Sequence, residues 1–281
     1  MATTQLTESN TSKMVKTEKW NIHYNEAGSG YPVIMLHGSG PGATGWSNFN
    51  RNIGPLSEKY RVLLMDHPGW GKSDTVTLTD KTRGEVNAES VKLFMDALGI
   101  EKAALVGNSM GGGTALNFVL DYPDRISHLI TMGSGGGGPS IYTPMPTEGL
   151  RILREGYEDP SVENFRKLIS IMVYDSAFVT EELLLQRSEA ALANRDHLEN
   201  YLNAPANSYS REILSHLGKV TTPSLIIHGR DDRTVPFEGS LSLLAALPHC
   251  RLVVFSECGH WAQVEKADEF NRLVSDFLDH N

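Results

Sequence analysis

Six short apolar segments constrain this chain more than any other feature. They are Val33–Leu36, Val62–Met65, Ala103–Val106, His128–Met132, Leu225–Ile227 and Leu252–Phe255. Each ends in a polar or glycine-containing turn, and helical patterns lie between them. Their continuous apolar character, rather than alternation, is that of strands buried on both faces, so an α/β protein with a mostly parallel sheet and helices on both faces is expected. Asn87–Leu98 has apolar residues at 91, 94, 95 and 98, the spacing of one helix face, and a final helix is read over Ala267–Leu278. Partly alternating segments near Val15–Thr17 and Trp20–Tyr24 suggest opening antiparallel strands after a loose tail over 1–15. The alternation breaks after Gly133, in a glycine run to Pro139 that reads as a flexible exit from the sheet. Helical segments near 147–157, 161–173, 180–193 and 196–203 follow. The expected organisation is a core over 16–134 and 218–281, with a helical lid over 135–217 between the sixth and seventh strands. Such an insertion over a sheet end shapes a pocket and excludes water.

At 281 residues the chain suffices for one α/β domain with an insertion. The formal net charge of −9, with no basic run, argues against nucleic-acid binding. No apolar stretch approaches the roughly 20 residues of a membrane span. The N-terminal residues are polar, unlike a signal peptide, and Cys250 and Cys258 fit neither a disulfide framework nor a metal motif. A cytoplasmic location is therefore expected. His, Asp and Glu form no ligand-spaced cluster, and no metal and no cofactor is expected.

Residues 107–111 read Gly-Asn-Ser-Met-Gly, a G-x-S-x-G pentapeptide between the apolar run 103–106 and a helical pattern. A serine on so sharp a strand-to-helix turn is pushed out of the sheet, where a helix N-terminus favours developing negative charge. Flanking glycines are needed because strand, turn and helix approach closely there. The strand at 225–227 leads into Gly229-Arg230-Asp231-Asp232, and that at 252–255 into Ser256-Glu257-Cys258-Gly259-His260. The order Ser109, Asp232, His260 resembles that of the α/β-hydrolases, whose usual Gly-x-x-Asp spacing selects Asp232 over Asp231. A serine hydroxyl needs a base to take its proton; His260 supplies one near neutral pH, and the carboxylate holds the imidazole tautomer.

His37-Gly38-Ser39-Gly40-Pro41-Gly42 resembles the H-G-G-G loop whose N–H groups build an oxyanion hole. The donors are assigned to the N–H groups of Ser39 and Met110, each worth about 2.7–4 kcal/mol when aimed at an oxyanion. Asp66–Ser73 reads as a structural turn in which Asp66 binds backbone amides, with His67 at the surface. Arg187 has Leu183, Leu184, Ala190 and Ala191 as its helical neighbours and no acid among them. A substrate carboxylate would supply the missing anion; a guanidinium reaching back to solvent is the alternative.

Taken together, several stretches resemble the meta-cleavage-product hydrolases of aromatic degradation, the biphenyl-pathway C–C hydrolases in particular. They are Asn21–Gly28, Met35–Gly38, Gly40–Ala43, Trp46–Asn48, Leu105–Gly112, Gly229–Arg233 and Cys258–Gln263. The likeness spans nearly the whole chain, and it implies the α/β-hydrolase fold. It implies that Asn48, Asn108, Arg187 and Trp261 contact substrate, the two asparagines near the carboxylate and 2-hydroxy or oxo group of a dienoate. It further implies a homo-oligomer. Ser39 departs from the glycine that close relatives often carry there, and Thr234 beside Val235 bears on the apolar subsite. The implied reaction is hydrolysis of the C5–C6 bond of a 2-hydroxy-6-oxohexa-2,4-dienoate, 6-phenyl in the first instance, with chlorophenyl and alkyl groups as alternatives. The acid product forms through an acyl-serine or by direct water attack.

An ester or thioester hydrolase uses the same triad, but a simple ester has no carboxylate for Arg187, Asn48 and Asn108 to hold. Dehalogenases and epoxide hydrolases of this fold carry aspartate at the elbow, and Ser109 speaks against both. A small-molecule receptor on the same fold is the non-enzymatic alternative.

Overall fold

A computed structural model describes residues 5–136, 140–204 and 212–281. Among these residues eight strands form one sheet: β1 (Ser12–Lys16), β2 (Asn21–Ala27), β3 (Tyr31–Leu36), β4 (Tyr60–Met65), β5 (Ala103–Asn108), β6 (Ile126–Met132), β7 (Ser224–Gly229) and β8 (Cys250–Phe255). Their order is β1-β2-β4-β3-β5-β6-β7-β8, with the β1–β2 and β2–β4 pairs antiparallel and the remaining pairs parallel. Each of the six apolar segments is a parallel strand, extended by two or three residues into its flanks.

Among the described residues, twelve α-helices accompany the sheet. Those of the N-terminal half are α1 (Glu8–Thr11), α2 (Gly45–Phe49), α3 (Ile53–Ser57), α4 (Arg83–Ala97) and α5 (Met110–Asp121). Between β6 and β7 lie α6 (Glu148–Glu158), α7 (Val162–Met172), α8 (Glu181–Leu192) and α9 (Arg195–Leu202), and after β7 come α10 (Phe237–Ala246), α11 (Ala262–Glu265) and α12 (Ala267–His280). The four inserted helices match the expected ones to within two residues, because serine or threonine caps mark three of their starts: Thr147, Ser161 and Thr180 accept hydrogen bonds from the first turn. Among the described residues no helix is long and apolar enough to cross a membrane.

Successive strand residues point to opposite faces, so the apolar runs feed two cores. Ile34, Leu36, Leu63, Met65 and Leu105 pack with Val91 and Phe94 of α4 and Leu116 of α5. Val33, Met35, Leu64 and Val106 pack with Phe49, Ile53, Phe270 and Phe277 on the other side. The inserted helices have a third core built on Leu153, Phe165, Leu168, Leu184 and Leu198.

Three expectations are corrected. The loose tail over 1–15 gives way by residue 8 to a capped helical turn, with Thr7 accepting from Asn10 N–H, and β1 then pairs with β2. Asn25 ties that turn down from inside, donating to Glu8 O and Thr11 Oγ1, both at 2.9 Å. The lid end at 217 is too late, since Ile213 and Leu217 are buried in the core that contains α4 and α5. Two of the three described glycines of the supposed flexible exit, Gly133 and Gly136, are close-packed. A Cβ on Gly133, whose φ is +53°, would lie 2.8 Å from His260 Nδ1, and one on Gly136 2.2 Å from Leu214 Cδ2. Residues 137–139 of that run lie outside the described residues.

Candidate active site

The turn from β5 into α5 is strained as the pentapeptide demands. Ser109 adopts φ 53° and ψ −115°, outside the regions L-residues favour, at a cost of about 1–3 kcal/mol. Surrounding bonds hold it there: its N–H donates to Met132 O at 2.8 Å, and its carbonyl accepts from Gly113 N–H at 3.0 Å and Ser134 Oγ at 2.7 Å. Both flanking glycines are sterically required. A Cβ on Gly107 would lie 2.3 Å from the Gly111 carbonyl carbon, and one on Gly111 2.0 Å from Leu36 O. Met110 opens α5, so its N–H is among the helix donors without an intrahelical acceptor.

Asp232 and His260 meet beside this turn. His260 Nδ1 lies 2.7 Å from Asp232 Oδ2, with both side chains buried. The other carboxylate oxygen accepts from the N–H groups of Thr234 at 2.7 Å and Val235 at 2.9 Å. Burial alone would raise the Asp232 pKa, but the charge and hydrogen bond of His260, then His228 and the Val235 N–H, outweigh it and lower it. Asp232 is therefore a carboxylate, which accepts the Nδ1–H of His260. Asp231 is half-buried and sits beside Arg230 instead.

The loop after β3 is held just as closely. Buried His37 donates Nδ1–H to Gly38 O at 2.8 Å, while its Nε2 accepts His67 N–H at 3.0 Å. The Gly38 carbonyl shares its peptide plane with Ser39 N–H, so His37 sets the direction in which that donor points. Burial lowers the His37 pKa and keeps the ring neutral. Gly38 N–H donates to Asn48 Oδ1 at 3.2 Å. Asp66 binds amides as expected, at Gly45 and Lys72, and takes His23 as well. His67 is corrected from surface to interior: it is fully buried, and neither ring nitrogen has a hydrogen-bond partner among the described residues.

Two cavities meet at three of the expected residues. A small pocket of about 40 Å³ is lined by Ser109, His260, Ser39 and Asn108, with Leu150, Leu153, Leu168, Met172 and Thr234 as its other wall. A cleft of about 400 Å³ runs outward between α2, α8 and α11. Asn48, Arg187 and Trp261 line both. Arg187, on α8, makes no hydrogen bond or ion pair among the described residues, and burial pulls its pKa down to about 10. Asn108 is wholly buried and donates to His260 O at 3.3 Å, leaving its Oδ1 without a partner among the described residues. Asn48 differs, because its amide is engaged at both ends, by Gly38 N–H and by Thr44 O at 3.3 Å.

All nine expected site residues thus lie around one sheet end. The roles of His37 and of Gln263 were not foreseen. Gln263, fully buried with neither side-chain amide atom partnered among the described residues, lines the outer cleft, and only its place in the stretch ending His260-Trp261-Ala262-Gln263 hinted at it. Among the described residues no group of three His, Cys, Asp or Glu side chains could hold a metal ion.

Comparison with known proteins agrees with this geometry. The family of the alpha/beta hydrolase fold matches residues 31–159 and 188–267. The chain is 53% identical, over 98% of its length and 99% of the relative's, to a 2-hydroxy-6-oxo-6-phenylhexa-2,4-dienoate hydrolase of Comamonas testosteroni. It is 48% identical, over the full length of both, to a 2-hydroxy-6-oxononadienedioate/2-hydroxy-6-oxononatrienedioate hydrolase of Dechloromonas aromatica. Among solved structures, a meta-cleavage product hydrolase from Pseudomonas fluorescens IP01 in complex with acetates superposes with a TM-score of 0.86 at 35% identity, covering 95% of this chain and 97% of that one. The 2-hydroxy-6-oxo-6-phenylhexa-2,4-dienoate hydrolase of Rhodococcus sp. strain RHA1 does so with a TM-score of 0.82 at 31% identity, covering 95% and 98%. The strained serine elbow, the buried acid–histidine pair and these full-length likenesses agree: the chain belongs to the α/β-hydrolase family, among the meta-cleavage product hydrolases.

Proposed function

We propose that this protein hydrolyses the C5–C6 bond of a 2-hydroxy-6-oxohexa-2,4-dienoate carrying an apolar C6 group, phenyl foremost, to 2-hydroxypenta-2,4-dienoate and a carboxylic acid such as benzoate. The observation that carries this reading is Arg187, a guanidinium with no partner among the described residues, at the junction of the outer cleft and the pocket of Ser109 and His260. A half-buried cation with no partner among the described residues, beside a nucleophile, calls for an anionic substrate, and its fork suits a carboxylate. A dienoate whose carboxylate rests on Arg187 and Trp261 can reach Ser109 with its C6 carbonyl. The free Asn108 Oδ1 accepts from the 2-hydroxyl. The wall of Leu150, Leu153, Leu168 and Met172 takes the C6 substituent, and Thr234 gives it a polar edge.

A dienol carbon is a poor leaving group, so the 2-hydroxyl first loses its proton and C5 gains one, giving the 2-oxo-3-ene. His260 relays this proton, and Arg187 steadies the enolate charge in between. Ser109 Oγ then adds to C6 as His260 takes its proton, and the oxyanion rests on the N–H groups of Ser39 and Met110. The C5–C6 pair collapses onto the 2-oxo system, which leaves as the dienol with the proton from His260. Water, deprotonated by His260, releases the carboxylic acid from Ser109. Asn48 acts at one remove, through Gly38. The inserted helices form the lid over this site.

Mixing the protein with the yellow 6-phenyl dienoate and following its visible absorbance tests the proposal. Rapid loss of colour is expected. A stable colour alongside brisk aryl-ester hydrolysis would make the protein an esterase instead.

A further inference from the structure

The loop that carries the Ser39 N–H is gripped from outside by the inserted helices. Tyr157 of α6, which is 3% exposed, donates its hydroxyl hydrogen to Ser39 O at 2.5 Å and accepts the Trp70 indole N–H at 3.0 Å. Its ring stacks on Tyr201 of α9 at 3.6 Å and 3° between planes. Burial pushes the phenol pKa well above its usual value, so the hydroxyl stays protonated and a donor. A second grip comes from α8, the helix that bears Arg187. Gly42 has φ +62°, and a Cβ there would lie 2.6 Å from Ala191 N.

We propose that Tyr157 is a positioning residue for the oxyanion hole. His37 fixes the peptide plane ahead of Ser39 by holding Gly38 O, and Tyr157 fixes the plane behind it by holding Ser39 O. With both planes anchored, the two Ser39 torsions between them have no freedom, and the N–H stays aimed where the oxyanion forms. The hole is therefore complete only when α6 is docked on the core. This makes the inserted helices part of the catalytic geometry as well as a cover. The inference rests on Ser39 as an oxyanion donor, and it is independent of which carbonyl substrate Ser109 attacks.

Tyr157→Phe keeps the ring stack and removes the hydroxyl. With an aryl ester, kcat should fall about tenfold, below the about 100- to 1,000-fold lost when a hole donor is deleted outright. KM should stay within twofold, because the hole acts on the transition state. An aryl trifluoromethyl ketone adds Ser109 Oγ to its carbonyl carbon, the proton passes to His260, and the carbonyl oxygen becomes an oxyanion. Its affinity should fall by the same factor as kcat. Unchanged kcat and ketone affinity would overturn the proposal, and so would a matched rise in KM, which marks general loosening of the fold. Trp70→Phe, which leaves the phenol donating to Ser39, supplies a second arm should Tyr157→Phe not fold. The proposal expects a smaller kcat loss there, and a loss of tenfold or more counts against it. An ester assay that behaves as described while the dienoate is not cleaved would sink the proposed substrate and leave this inference standing.

Discussion

Replacing Arg187 separates substrate recognition from catalytic machinery, and the structure sets the size of the effect. Arg187→Met keeps the aliphatic stem on α8 and removes the guanidinium. That group has no partner among the described residues, so its removal leaves no protein group newly unsatisfied, and it relieves the desolvation that pulls its pKa down to about 10. The melting temperature should therefore hold or rise. With the dienoate the carboxylate is left facing a neutral thioether. Truncating one member of a buried, hydrogen-bonded charge pair costs about 2–5 kcal/mol. At about 1.36 kcal/mol per decade that is a roughly 30- to 5,000-fold loss in kcat/KM for the dienoate. An aryl ester without a carboxylate should lose less than about threefold, since it never used the charge. Steady-state kinetics on both substrates, beside a thermal melt, read all three quantities. Equal losses on the two substrates, or a clear drop in melting temperature, would show that Arg187 supports the fold and not the substrate.

Other outcomes follow from the same geometry. Gly111→Ala drives a Cβ to 2.0 Å from Leu36 O, while Gly113→Ala meets nothing within 4 Å inside α5. Chemical denaturation should show the first losing at least about 3 kcal/mol and the second gaining roughly 0.5–1 kcal/mol; similar values would contradict the packing described at the elbow. Burial, then His37 and Arg83, hold the His67 pKa well below the usual histidine value. Below about pH 6.5 the unfolded chain therefore binds a proton that the folded protein refuses, and stability falls with pH by up to about 1.4 kcal/mol per unit for this residue. His67→Phe should flatten the fall in melting temperature between about pH 6.5 and 5, and an unchanged slope would remove His67 from that account. The pocket wall of Leu150, Leu153, Leu168 and Met172 favours an uncharged C6 group. Competition between the 6-phenyl dienoate and a 2-hydroxy-6-oxononadienedioate should favour the phenyl compound by at least about tenfold in kcat/KM, the scale of one mismatched pocket contact. Preference for the dienedioate would reverse that assignment.

The sheet was legible because burial on both faces writes an unbroken apolar run, which few other elements share. The inserted helices were legible through their caps at Thr147, Ser161 and Thr180. Ser109, Asp232 and His260 could be found because each follows a strand in a fixed order. What stayed hidden depends on contacts distant in sequence. His67 looked like surface because a turn of prolines and glycines is usually exposed, whereas here His37, 30 positions away, takes its N–H and closes it in. The ordered N-terminus depends on Asn25 reaching back to Glu8 and Thr11, which no local pattern announces. Asn48 and Asn108 are alike in sequence terms, and only the fold shows that the first amide is engaged at both ends while the second keeps a free oxygen.

Product analysis after complete turnover of the 6-phenyl dienoate tests carbon–carbon hydrolysis at Ser109 most directly. Chromatography should find benzoate and 2-hydroxypenta-2,4-dienoate in equal amounts, each matching the substrate consumed, and neither with Ser109→Ala. Intact dienoate with the native protein, or products formed at the native rate without Ser109, would contradict it.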